Sequence, residues 1–152
     1  MISAIPRSRP RRRNYNRLEL EIVINKPAAD VWSKVGGYCD ISKWLGLDCK
    51  ITEGDGGVGT VRVLNGTIIE PVVGQTELSY GYTQPVVEGQ YCTLYHGFME
   101  ARPISETTSK VIYTMMWDTS QSSEEKISAD SERRRKTFTA ALAKMKEIAE
   151  TD

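Results

Sequence analysis

A chain of 152 residues, 39% hydrophobic and 26% charged, has the size and composition of one globular domain and is neither disordered nor fibrous. It has no apolar run near the roughly 18 residues that a membrane span needs. The net charge of +0 hides an asymmetry: residues 1–17 carry Arg7, Arg9, Arg11, Arg12, Arg13 and Arg17 and no acid. From Leu18 onward 20 acidic residues therefore face 14 basic ones, a body of −6 that repels a phosphate backbone, so nucleic acid is not an expected partner.

Residues 1–17, with two prolines and few large apolar groups, are predicted to form a flexible arm, leaving a domain over 18–152. Period-two alternation over Leu18–Ile24 predicts a strand. Pro27, Asp30, Val31 and Val35 then predict a short helix closed by Gly36-Gly37, and Asp40 caps a second one carrying Ile41, Trp44 and Leu45. Strands follow at Leu47–Glu53, Gly59–Leu64 and Thr67–Val73, with Gly54–Gly57 and Asn65-Gly66 between them. Three more are predicted at Glu77–Thr83, Tyr91–Pro103 and Lys110–Trp117. Ser122 with Glu125 forms a capping box, after which Ile127, Phe138, Leu142, Met145 and Ile148 recur at helical spacing.

This order gives an α+β architecture: a curved six- to seven-stranded antiparallel sheet whose inner face only the long C-terminal helix is large enough to cover. Stepping back from Phe138, that helix presents Arg134 and Ser131, which do not fill a core. Either a cavity lies beneath them or this half of the helix is solvated. A cavity-facing Arg134 needs a carboxylate, Glu70 being the best candidate, or an anionic group on a ligand. Otherwise its charge snorkels to water.

Five motifs in order carry a family resemblance. Pro27-Ala28-Ala29-Asp30-Val31-Trp32, Ile41-Ser42-Lys43-Trp44-Leu45, Gly57–Leu64, Gly66 with Glu70, and Tyr95-x-Gly97-x-Met99-x-Ala101-x-Pro103 followed by Val111–Thr114 resemble the polyketide cyclase/dehydratase-like branch of the START-type (SRPBCC) helix-grip superfamily. The resemblance spans roughly residues 18–150. It implies a helix-grip fold, an apolar cavity between sheet and C-terminal helix, a small hydrophobic, aromatic or polyketide-like ligand, and no cofactor. Pro71-Val72 and Tyr113 depart from the family's usual Arg-Leu and Trp, which suggests a pocket shaped for a different ligand.

Seven tyrosines and three tryptophans against two phenylalanines suit an interior where ring hydroxyls meet polar partners. Period two places Tyr80 and Tyr82, Tyr95 and Met99, and Tyr113, Met115 and Trp117 on the concave face, with Trp44, Arg134 and Phe138 completing the expected ligand-binding set. His96 and Glu100 take the opposite parity and point outward. Trp44 either plugs the open end of the sheet or stacks on a ligand. Arg62 and Glu70 lie in valine- and isoleucine-rich segments: a two-residue Asn65-Gly66 turn puts them on opposite faces, whereas a three-residue loop makes them cross-strand partners. With Tyr82 they are the candidate catalytic groups, Arg62 stabilising an enolate and Glu70 or a tyrosine moving the proton.

One histidine with scattered acids gives no metal site. Gly54–Gly59 lies between strands, so it is not a phosphate cradle. Cys39, Cys49 and Cys92 are odd in number and lack paired spacing, which points to a reducing cytoplasm. Three functions remain: cofactor-free cyclase, dehydratase or lyase chemistry, passive small-molecule binding, and an interaction module using the basic arm. A monomer or homodimer is expected. Binding of a polyketide-sized molecule requires an enclosed cavity above about 300 Å³.

Overall fold

The computed structural model describes residues 14–85 and 94–152. The chain runs β1 (Tyr15–Ile24), α1 (Ala28–Val35), α2 (Ile41–Leu45), β2 (Cys49–Glu53), β3 (Val61–Leu64), β4 (Ile68–Thr76), β5 (Ser79–Gln84), β6 (Tyr95–Pro103), β7 (Ser109–Asp118) and α3 (Glu124–Glu150). The strands form one antiparallel sheet in the order β1-β7-β6-β5-β4-β3-β2. The α+β architecture is the expected one, with seven strands and a long closing helix.

Alternation along the strands decides which face is covered. In β7, Val111, Tyr113, Met115 and Trp117 are buried against the helices, and Tyr95, Met99 and Ala101 share that side of β6. Val31 and Val35 of α1 and Met145 of α3 are fully buried, and α3 packs on β1, α1 and α2. The apolar residues of α3 are concentrated in its second half: Phe138, Ala141, Leu142, Met145 and Ala149 are buried, and none before Phe138 is. The first half still stays with the sheet, because Ser131 Oγ accepts a 2.5 Å hydrogen bond from Asn16 of β1. No helix among the described residues is long and apolar enough to cross a membrane.

Three expectations are corrected, and of the two loops left open between β3 and β4 one is selected. Strand β1 begins at Tyr15 and pairs it with Asp118, so residues 15–17 of the predicted arm are sheet; residues 1–13 lie outside the described residues, as do 91–93 of the predicted sixth strand. The cap of α3 is Ser123, whose hydroxyl accepts from the Lys126 amide, rather than Ser122. The β3–β4 connection is the three-residue loop: Leu64 pairs with Ile68, and Asn65 and Gly66 adopt φ of 49° and 72°. That register makes Arg62 and Glu70 direct partners.

The third correction concerns the cysteines. Cys39, just before α2, and Cys49, at the start of β2, form a disulfide across a Cα separation of 5.5 Å. Their spacing is no recognisable motif; the fold brings them together. Closing a loop this short contributes on the order of 2–3 kcal/mol in the chain-entropy model. Thiol counting on the denatured, unreduced chain should therefore find one free cysteine and, after reduction, three. Reduction should lower Tm by about 5–10 °C, given about 2–4 °C per kcal/mol at this size.

Candidate functional site

Arg62 lies on β3, one strand in from the β2 edge of the sheet. Although fully buried, it is completely engaged: Nε and Nη2 donate to Glu70 Oε1 at 2.9 and 2.8 Å, and Nη1 donates to the Tyr38 carbonyl at 2.8 Å. Its guanidinium carbon stands 4.1 Å above the Tyr38 ring and 4.8 Å above that of Tyr82, which adds cation–π attraction. Burial opposes its charge, but the oxygens of Tyr80, Glu70, Tyr113 and Tyr82 outweigh that and raise its pKa. Glu70 Oε2 accepts from Gln84 Nε2 at 2.9 Å, and the Glu70 carbonyl accepts from the Tyr38 hydroxyl at 2.7 Å.

Tyrosines surround this pair. Tyr82 OH lies 2.5 Å from Tyr113 OH and 3.0 Å from Tyr95 OH. Gly97 makes room for it, since a Cβ there would fall 2.4 Å from the Tyr82 hydroxyl. Burial raises the phenol pKa of Tyr82 and Tyr113 well above the ordinary value and that of Tyr95 to about 12, with the Tyr82 hydrogen bond and the Arg134 charge acting in the opposite direction on Tyr95. Near neutral pH these side chains are protonated hydrogen-bond donors, not phenolates.

A pocket of about 140 Å³ opens beside them between α2, α3 and strands β3–β6. Glu70, Tyr82, Gln84, Tyr95 and Arg134 supply its polar side, while Ile41, Leu45, Leu47, Leu64, Ile68 and Phe138 supply the apolar one. Buried Glu70, Leu64, Tyr82 and Tyr95 form the floor; half-buried Leu45, Leu47, Gln84 and Arg134 with exposed Ile68 form the rim. Arg134 bends inward, its guanidinium carbon 4.7 Å above the rings of both Tyr95 and Trp117. A larger hollow of about 400 Å³ lies on the outer face around exposed Phe98, with Glu19, Gly81, Glu100 and Thr114 in its wall. Ionisable and phenolic groups converge on the inner pocket, so the inner pocket is the candidate site.

The structure brings most of the sequence candidates together. Glu70, Tyr82, Tyr95, Arg134 and Phe138 line the pocket. Arg62 sits one layer behind Glu70. Tyr113 packs on Phe138 at 4.7 Å and holds Tyr82 from below, and Trp117 lies under Arg134. Met99 and Met115 are fully buried core, and Tyr80 packs among Trp32, Tyr38 and Tyr82 away from the pocket. Trp44 is fixed as a plug: its Nε1 donates to the Val35 carbonyl and its ring meets Tyr113 edge-on. His96 and Glu100 take the outer face.

Two expectations change. Arg134 does not pair with Glu70, both of whose carboxylate oxygens are already occupied by Arg62 and Gln84. The pocket that the described residues enclose, about 140 Å³, is less than half of what a polyketide cavity requires. Sequence reasoning also missed Tyr38, Gln84 and the rim leucines. Gln84 was within reach, because it continues the Tyr80, Tyr82 parity along β5.

No protein-family model and no curated protein matches this sequence. Solved structures do. A protein of Nitrosospira multiformis superposes with a TM-score of 0.65 at 24% identity, covering 86% of this chain and 96% of its own. Ara h 8.0201 gives 0.62 at 19%, covering 87% and 98%, and truncated norcoclaurine synthase from Thalictrum flavum gives 0.66 at 16%, covering 95% and 99%. The chain shares the helix-grip fold of these solved structures.

Proposed function

We propose that this protein binds a small molecule of about one aromatic ring in the pocket between sheet and α3. The observation that carries this is the pocket's two-sided lining at about 140 Å³, since a cavity of about 150 Å³ accepts benzene. A fused polycyclic ligand does not fit that volume. Titrating the protein with phenol and with 1-naphthol should give pocket-localised amide shifts for phenol alone. Filling the rim by Leu45→Trp should weaken phenol binding at least about tenfold with little change in Tm; unchanged affinity would overturn the assignment.

A second reading is cofactor-free acid–base chemistry in the same pocket, favoured by the meeting of the Glu70 carboxylate with the Tyr82 and Tyr95 hydroxyls. In this reading Glu70 takes a proton and a tyrosine donates one. Arg62 then acts by holding Glu70, because its three bonded nitrogens face the protein. That the fold is shared with a synthase supports the possibility of turnover. If Glu70→Gln and Tyr82→Phe turn over an identified substrate at the wild-type rate, only binding remains.

A further inference from the structure

Among the described residues the three linked phenols do not use all their protons. Tyr113, Tyr82 and Tyr95 have three O–H groups and only two mutual contacts, so one proton is left over. Tyr113 is fully buried, does not line the pocket, and has no other hydrogen-bond partner among the described residues. Leaving the spare proton there would cost the full penalty of an unsatisfied buried donor, so Tyr113 donates to Tyr82. The spare proton then belongs to Tyr82 or Tyr95, and both line the pocket.

Arg134 adds a second unmet donor beside it. Its Nε has no accessible surface and no partner, and it forms no ion pair among the described residues. Beneath it the Trp117 Nε1 is buried without a partner as well. Arg62 and Glu70 cancel one another, so among the described residues the pocket keeps one positive charge without an acidic partner and a surplus of donors. Leu45, Leu64 and Phe138, which also line the pocket, offer only hydrocarbon.

The geometry points to a small organic carboxylate as the occupant, its anionic oxygens between Arg134 and the spare phenol proton and its apolar body against Leu45, Leu64 and Phe138. This rests on the reading that the pocket binds a one-ring molecule, and it names the charge of that molecule. An ionised acceptor roughly doubles the strength of such hydrogen bonds, whereas a neutral amide of the same shape adds donors to a pocket that already has too many.

Benzoate and its neutral isostere benzamide are the probes, titrated into isotope-labelled full-length protein and followed at the amides of Leu64 and Tyr82. Those positions separate pocket binding from adventitious attraction to exposed Arg133, Arg135 and Lys136. Benzoate should bind at least about tenfold more tightly than benzamide, a difference of about 1.4 kcal/mol. Arg134→Met keeps the apolar stem and removes the charge, so the preference should fall below about threefold with Tm unchanged; Arg134→Gln serves as a second variant and should do the same. Equal affinities in the wild type, or a preference that survives both variants, would overturn the carboxylate assignment while benzamide binding keeps the pocket reading intact. If neither probe shifts the pocket amides, both fail.

Discussion

Replacing Arg62 by methionine should cost about 3–5 kcal/mol, the range for removing one partner of a buried ion pair, and lower Tm by about 10–15 °C. The loss comes from what is left behind. Glu70, 3% exposed, would keep a carboxylate whose Oε1 has lost both donors, and the Tyr38 carbonyl would lose its own. Methionine fills much of the stem's volume, so a cavity contributes little. Removing both charges, by Arg62→Met with Glu70→Leu, should recover most of the loss, since well-packed apolar pairs often replace buried ion pairs at no cost. Gln84 then reaches water at the rim. Thermal unfolding of the single and double variants checks this, and a single variant as stable as the wild type would show that Glu70 is solvated.

This pair also marks where the sequence was sufficient and where it was not. Two charges inside valine-rich strands announced themselves as special, but their relation hung on one residue of loop length. Asn65-Gly66 serves a two-residue turn or the first two positions of a three-residue loop, because asparagine and glycine both tolerate the positive φ they adopt here. Only packing of the strands on either side selects between them. The concave face was legible for a simpler reason: period two keeps Tyr80 with Tyr82, Tyr95 with Met99, and Tyr113 with Met115 and Trp117, and their burial shows that each set takes the covered side rather than the outside of the sheet. Pocket volume depends instead on how far α3 stands from the sheet. The Tyr113–Phe138 contact sets that distance, and neither residue type reports it. The Cys39–Cys49 bridge was hidden likewise, joining residues whose proximity follows from the path around α2.

Alkaline pH should unfold this protein more steeply than an ordinary domain. Burial raises the phenol pKa of Tyr38, Tyr80, Tyr82, Tyr95 and Tyr113, that of Tyr95 to about 12. In the unfolded chain each ionises near pH 10. Above that pH the unfolded state holds fewer protons than the folded one, so the free energy of unfolding falls as pH rises. The stabilisation is whole below about pH 10 and shrinks by up to about 1.4 kcal/mol per unit for each tyrosine, about 7 kcal/mol per unit for five acting together. A total stability of about 5–15 kcal/mol does not survive two such units. Circular dichroism and phenolate absorbance should therefore change together between about pH 10 and 12. If the clustered phenols titrated near pH 10 while the fold persisted, water would have to reach them, and the hydroxyl chain from Tyr113 through Tyr82 to Tyr95 could not be the dry donor relay that its burial requires.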